Sequence, residues 1–462
     1  MKNLLLITSD FPPSGRSSTM RVLNFSKYLP EYNWRTVILT IKENYYDAFS
    51  IPTEMSLWGK VDKNLKIYRT RIISSFNLLI RIKNCFLKNK GRDNLKTKDI
   101  IDDTPKKEKK GGVIDKIFFY ISDILTLPDK YIGWLPFALF QGIKVIRKEK
   151  IDIIYSTAPP KTAHLIGYML KKLTGKPWIA DFRDPWTLSY AFDEKASWKG
   201  RRKIEEFMER EIVKYADKVI SISDVLTQKL CAKYFNIEKE KFITITNGFD
   251  PDDFKGITLE RLSEKFTMSY IGSFYRGRTP EYFLKALTEL IEENQGIEKE
   301  ISVIFLGEIL EEEYKTLVNG FKWDKILKII NWLPHNEAIR YMSSSDVLIL
   351  FIQKQDNMTD YIVTGKIFEY LAAKKPILAL VPSTGVAAEI IRKTNTGVVV
   401  EPDNPQEIKK AIIELYNKYK EKSLKLEGIS AEIDKFSYER LGLNLTEILN
   451  SILSSKGNKN GE

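Results

Sequence analysis

At 462 residues the chain is too long for one hydrophobic core, so at least two domains are expected. A composition of 43% hydrophobic and 29% charged residues excludes both a disordered chain and a membrane-embedded one. The net charge of +12 admits a polyanion binder or a protein resting on an anionic membrane, but it is unevenly spread: residues 1–250 hold 45 Lys/Arg and 29 Asp/Glu (net +16), whereas residues 251–462 hold 28 and 32 (net −4).

Apolar, β-rich runs alternate with longer helical stretches along almost the whole chain. The first series is NLLLIT (3–8), TVILTI (36–41), LKIYR (65–69), IDIIY (151–155), PWIAD (177–181), DKVISI (217–222) and FITIT (242–246). The second is FTMSYI (266–271), ISVIFL (301–306), LKIIN (327–331), DVLILF (346–351), PILALV (376–381) and GVVV (397–400). Nearly continuous apolar strands between helices predict parallel sheets covered on both faces. The fold class is therefore α/β with two doubly wound domains, and the turn-rich NGFDPDDFKG marks a junction near 250–264. Such sheets bind nucleotides beyond the carboxyl ends of their strands. The expected division is 1–255, 264–430 and a C-terminal helix with a frayed tail over 431–462. That helix is read from Leu441, Leu445, Ile448 and Ile452 at helical spacing.

Residues 72–127 interrupt the rhythm as an insertion. Its central stretch, 81–110, carries 11 basic and 5 acidic residues between two apolar segments. A solvated charge run accounts for it in part, and the apolar flanks point beyond that to docking on an anionic membrane surface. Nucleic acid is not an expected partner, because no helix-turn-helix, zinc or aromatic RNA-binding pattern accompanies the charge. Two cysteines, Cys85 and Cys231, form neither a disulfide framework nor a metal pair. No charge-free window of about 18 residues reads as a membrane span, and Leu4 to Ile7 is too short for a signal sequence. A cytoplasmic location is expected, peripheral on the cytoplasmic membrane face if the insertion docks there.

The sharpest motif is TGKIFEYLAAKKPIL (364–378). Gly365 opens a helix whose free N–H groups and dipole suit a phosphate. Lys366 adds a point charge, Glu369 stands one turn inside where a carboxylate accepts two hydroxyls, and Pro376 ends the helix. An ordinary amphipathic helix accounts for the same letters.

This stretch resembles the donor-binding segment of retaining glycosyltransferases of family 4, which have the GT-B architecture. The resemblance implies that Glu369 binds a nucleotide ribose and that Thr364, Gly365 and Lys366 meet the diphosphate. A first glutamate, eight positions earlier in the family, is replaced by Tyr361; Asp356 and Asp360 lie nearby. YIGSFYRGRTPEYFLKAL (270–287) is similar to the strand–loop–helix that supplies an Arg and a Lys to the donor phosphates. Arg278 falls on the lysine position, Ser273 on the arginine position, and Arg276 is close enough in sequence to substitute. NWLPHNEAIRYMSSSDVLIL (331–350) resembles the loop backing the base, with the Trp332–Leu333 backbone as base contact. His335 is expected in a turn.

The N-terminal half carries further likeness. SDFPPSGRSSTMRVLNFSKYLP (9–30) resembles a loop near donor and acceptor, where Ser14, Gly15 and Ser17 permit a close backbone approach. STAPPKTAHLIGYMLKKLTGKPWIADFRDPWT (156–187) is similar to a subgroup that builds surface polysaccharides. Arg183 and Asp184 stand there, where many relatives have a His before the Asp; an arginine does not serve as a general base. His164 reads as structural. Asp250, Asp252 and Asp253 mimic a D-x-D metal site, but NGFDPDDF matches the family's junction turn, so no metal is expected.

The resemblance implies two Rossmann-like domains facing across a cleft, with the last helix crossing back to the first. The implied activity moves a sugar from a nucleotide-diphosphate sugar to a hydroxyl of a lipid-linked or growing cell-surface glycan, with retention. Arg276, Arg278 and Lys366 would stabilise the departing diphosphate, without a cofactor. The alternatives are a nucleotide-sugar epimerase of the same fold and a non-catalytic nucleotide-sugar-binding relative.

Overall fold

The computed structural model describes residues 1–73, 121, 123–189, 199–274, 278–310, 312–321, 325–354, 360, 361 and 363–459. The basic stretch 81–110, Arg276 and Asp356 lie outside the described residues. The chain forms two units, Met1–Ile245 with Gly442–Glu462, and Thr246–Leu441. The division falls between Ile245 and Thr246, because Phe249 exchanges backbone hydrogen bonds with Phe436 and Tyr438 (3.0 and 2.9 Å) and so stays with the second unit.

All thirteen apolar runs are strands. In the first unit they are β1 (Lys2–Ile7), β2 (Trp34–Ile41), β3 (Lys66–Thr70), β4 (Ile153–Ala158), β5 (Trp178–Phe182), β6 (Lys218–Ser221) and β7 (Phe242–Thr244). Every pairing is parallel, in the order β3-β2-β1-β4-β5-β6-β7. The order reverses between β1 and β4, which defines a switch point where loops diverge. Residues of β4 and β5 are buried throughout, as a strand covered on both faces requires.

The second unit holds β8 (Phe266–Ile271), β9 (Ile301–Leu306), β10 (Leu327–Ile330), β11 (Val347–Phe351), β12 (Ile377–Leu380) and β13 (Gly397–Val400), again parallel, in the order β10-β9-β8-β11-β12-β13. Strand alternation sorts its core into two layers. Phe266, Met268, Tyr270, Val347, Ile349 and Phe351 face the helices Glu281–Glu293 and Pro405–Lys420. Leu348, Leu350, Ile377 and Ala379 face the helices His335–Ser344, Gly365–Ala373 and Val386–Thr394. Each fully buried aliphatic or aromatic side chain contributes about 1.5–3 kcal/mol, so both layers hold the sheet rigidly under its loops.

The last helix runs Tyr438–Lys459 and continues through residues expected to fray. From Gly442 onward it belongs to the first unit, where Leu445, Leu449 and Ile452 are buried and Asn450 Oδ1 accepts from Lys2 Nζ (2.9 Å) and Trp34 Nε1 (3.3 Å).

Candidate nucleotide-diphosphate site

The carboxyl end of β8 and the helix Gly365–Ala373 are locked together. The Ile271 N–H donates to Tyr370 Oη at 3.0 Å, and burial, the largest influence on that phenol, raises its pKa well above the usual value and keeps it neutral. One residue on, Gly272 has φ +150°, and a Cβ there would lie 1.8 Å from Lys366 Cε. Gly307, at the end of β9 with φ +139°, meets the Gly272 carbonyl in the same way, at 2.5 Å. Gly272 thus clears the space that the Lys366 side chain occupies, and Gly307 lets the Gly272 backbone lie close against β9. Neither was singled out from the sequence, although each directly follows an apolar run, FTMSYI-G and ISVIFL-G.

Lys366 is partly buried, and its Nζ lies 5.8 Å from the Tyr270 ring centroid. Burial pushes the ammonium down to about 7, the Arg278 guanidinium adds to the shift, and Glu369 opposes it. The Arg278 charge thus acts on Lys366. The helix begins without a side-chain cap: Thr364 is the N-cap, its side chain caps no N–H, and its buried Oγ1 has no hydrogen-bond partner. An uncapped helix N-terminus beside an orphaned buried hydroxyl and a lysine side chain is an arrangement able to accept an anion. Ser273 also borders this end of β8, its carbonyl accepting from Tyr270 Oη at 3.1 Å. Tyr361 is buried, so the residue at the first-glutamate position presents little surface to a ligand.

Glu369 is one turn further along the same helix. His335 Nε2 lies 3.0 Å from Glu369 Oε1, and its Nδ1 lies 3.7 Å from Asp253 Oδ2. His335 thus opens the helix His335–Ser344 instead of sitting in a turn. Trp332 is 46% exposed and Leu333 half-buried, both following β10. The three aspartates of the D-x-D-like string are engaged locally. Asp250 Oδ1 caps the Asp252 N–H (3.1 Å), Asp252 pairs with Lys255 (2.6 Å), and Asp253 faces His335. Among the described residues no group of three His, Cys, Asp or Glu side chains is placed to hold a metal ion.

In the first unit the expected contact residues divide. Ser14 is fully buried, and the Gly15 N–H donates to the Pro52 carbonyl at 2.7 Å, so that loop packs against 52–54; Ser17 is exposed. Arg183 is 6% exposed, donates to the Pro159 carbonyl and leaves Nε without a partner, while Asp184 is exposed. His164 is structural: burial lowers it to about 3, and Nδ1 lies 2.9 Å from Ser156 Oγ. Sequence reasoning missed the pair behind the switch point. Arg21 grips Asp181 with two hydrogen bonds of 2.9 Å, and Thr157 Oγ1 adds a third at 2.7 Å. Burial alone would raise the Asp181 carboxyl, but the Arg21 guanidinium holds it below the usual range.

Two family models match the sequence: Glycosyltransferase Family 4 over residues 102–253 and Glycosyl transferases group 1 over residues 265–418. The chain carries two glycosyltransferase domains. No curated protein matches it. Among solved structures, a mutant of S. aureus TarM in complex with fondaparinux, alpha-GlcNAc-glycerol and UDP is similar at 12% identity and TM-score 0.59, over 97% of this chain and 100% of that one. A putative UDP-N-acetylglucosamine 2-epimerase from Listeria monocytogenes is similar at 11% identity and TM-score 0.54, over 98% of each chain. The lipopolysaccharide outer core galactosyltransferase WaaB in its apo form is similar at 11% identity and TM-score 0.53, over 98% and 100%. At such identities the likeness establishes the GT-B fold that these glycosyltransferase domains adopt.

Proposed function

We propose that this chain transfers a sugar from a nucleotide-diphosphate sugar to a hydroxyl of a lipid-linked or growing cell-surface glycan, with retention of configuration. The observation that carries the reading is the uncapped N-terminus at Thr364–Gly365 beside Lys366, whose side chain fills the space cleared by Gly272. A diphosphate at this cradle receives the helix N–H groups and the cations Lys366 and Arg278, with Arg276 assigned alongside them from the sequence resemblance alone. Glu369 accepts the two ribose hydroxyls, and the backbone of Trp332–Leu333 backs the base. The cations and the helix dipole stabilise negative charge as the sugar–phosphate bond breaks, which is commonly the largest catalytic contribution. No covalent nucleophile is required, and the departing diphosphate takes the acceptor proton. Since fixed cations supply the positive charge, activity should persist in the presence of a chelator.

On the acceptor side we assign Ser17, Arg183 and Asp184, with Ser14 and Gly15 shaping the loop from behind. The choice of a surface-glycan acceptor draws support from TarM, solved with alpha-GlcNAc-glycerol, and from WaaB, a lipopolysaccharide galactosyltransferase. Docking on an anionic membrane face is assigned to the insertion, whose described end leaves Ile121, Ile124 and Leu125 43%, 55% and 45% exposed. Among the described residues no helix is long and apolar enough to cross a membrane.

The deciding experiment incubates the protein with UDP- and GDP-sugars, with and without glycan acceptors. Turnover that requires an acceptor supports transfer; donor turnover by the protein alone supports the epimerase reading; binding without turnover supports a non-catalytic relative.

A further inference from the structure

Three separate elements of the second unit converge on one imidazole. The helix His335–Ser344 starts immediately after Pro334, whose φ of −55° and ψ of 151° fix the chain's direction of entry. Side chains at a helix start lean back toward the N-terminus. The His335 ring accordingly reaches Glu369 on the helix Gly365–Ala373 and Asp253 on the short turn Pro251–Phe254. Asp253 is itself held, since its N–H donates to the Asp250 carbonyl at 3.1 Å and Phe254 packs into the neighbouring core layer. Side-chain exposures rise from 9% at Asp253 through 15% at His335 to 22% at Glu369.

A carboxylate accepts hydrogen bonds only, so in the 3.0 Å contact the His335 Nε2–H donates to Glu369 Oε1. The second oxygen and the remaining lone pairs stay available. An unheld glutamate in a helix samples several rotamers and loses that freedom on binding a diol; one already clamped does not.

We propose that His335 is a positioning residue for the donor: through the contact at Nε2 it holds the Glu369 carboxylate in an orientation that meets the 2′- and 3′-hydroxyls of a ribose, while its other ring nitrogen faces Asp253. The inference rests on the reading of Glu369 as the ribose ligand. It adds a consequence specific to the ribose, because His335 Nε2 meets the carboxylate of Glu369.

The test measures dissociation constants for UDP, GDP and their 2′-deoxy counterparts on wild-type, His335→Ala, His335→Asn and Glu369→Ala proteins, with inorganic pyrophosphate as the phosphate-only probe. The wild type should prefer the ribonucleotide over its 2′-deoxy form. His335→Ala should weaken the ribonucleotide about five- to tenfold, compress the ribo-to-deoxy ratio toward one and leave pyrophosphate unchanged. His335→Asn, which keeps a donor, should recover part of the ratio. An unaltered ratio in a folded His335→Ala protein, with the ratio lost in Glu369→Ala, would overturn the role of His335 alone. An unaltered ratio in Glu369→Ala would overturn the ribose assignment itself. Equal weakening of nucleotide and pyrophosphate would show a general structural effect and also reject the proposal.

Discussion

Lys366 carries the clearest consequence at the scale of a single residue. Its ammonium is pushed down to about 7 from the usual 10.5, chiefly by burial, so folding favours its neutral form. Between those values the unfolded chain binds more protons than the folded one, and the stability of the ligand-free protein should rise with pH across that window. Donor binding should run the other way. A nucleotide-sugar diphosphate has no proton to lose there, so its affinity should fall as pH climbs above about 7, by up to tenfold per pH unit. Lys366→Met should abolish that pH dependence, raise the melting temperature of the ligand-free protein and weaken the nucleotide sugar roughly 10- to 100-fold, as loss of a charge-assisted hydrogen bond implies. Calorimetric titration at a series of pH values reads all but the melting temperature, which thermal unfolding supplies.

The next scale is the join between strand ends and helix starts. Gly272→Ala should displace Lys366, since the added Cβ would sit 1.8 Å from Cε at a φ that favours glycine; diphosphate affinity should drop as far as in Lys366→Met. In the first unit, Asp181→Asn strands the buried Arg21 guanidinium and should cost about 3–5 kcal/mol in urea unfolding, whereas Arg21→Met with Asp181→Leu should cost much less. The strands themselves were legible, because each is an apolar run between helical stretches; β4 and β5 are buried throughout, whereas the edge strands β3 and β10 are only partly covered. The helix at Gly365 was legible from its own letters, although it ends at Ala373, where Lys374 adopts a left-handed conformation two residues before Pro376. What escaped the sequence are pairings that periodicity does not encode. Arg21 and Asp181 are 160 positions apart, His335 and Glu369 34, and nothing local in either partner specifies the other. The loop at 14–17 admits two readings from its letters, since Ser and Gly there suit ligand approach and equally suit packing against 52–54, where Ser14 is buried.

For the whole molecule, the charge asymmetry is the organising feature. The +16 of residues 1–250 includes the basic insertion stretch, whereas residues 251–462 carry −4, so an anionic donor of the kind proposed there would depend on a few placed cations. If the insertion docks on anionic lipid, deletion of 81–110 should release the protein from vesicles containing phosphatidylserine or phosphatidylglycerol in cosedimentation, and added salt should mimic the deletion. An equal bound fraction would reject membrane docking while leaving the donor site untouched. The central claim is that the second unit binds a nucleotide-diphosphate sugar through the Thr364–Glu369 segment. A thermal-shift panel of nucleotide sugars on the wild type and Glu369→Ala tests it most directly, since a ligand at 100 times its dissociation constant stabilises by about 2.7 kcal/mol. At least one nucleotide sugar should stabilise the wild type, with a dissociation constant more than tenfold weaker in Glu369→Ala. A folded wild type that no nucleotide sugar stabilises, or a variant that binds equally well, would contradict it.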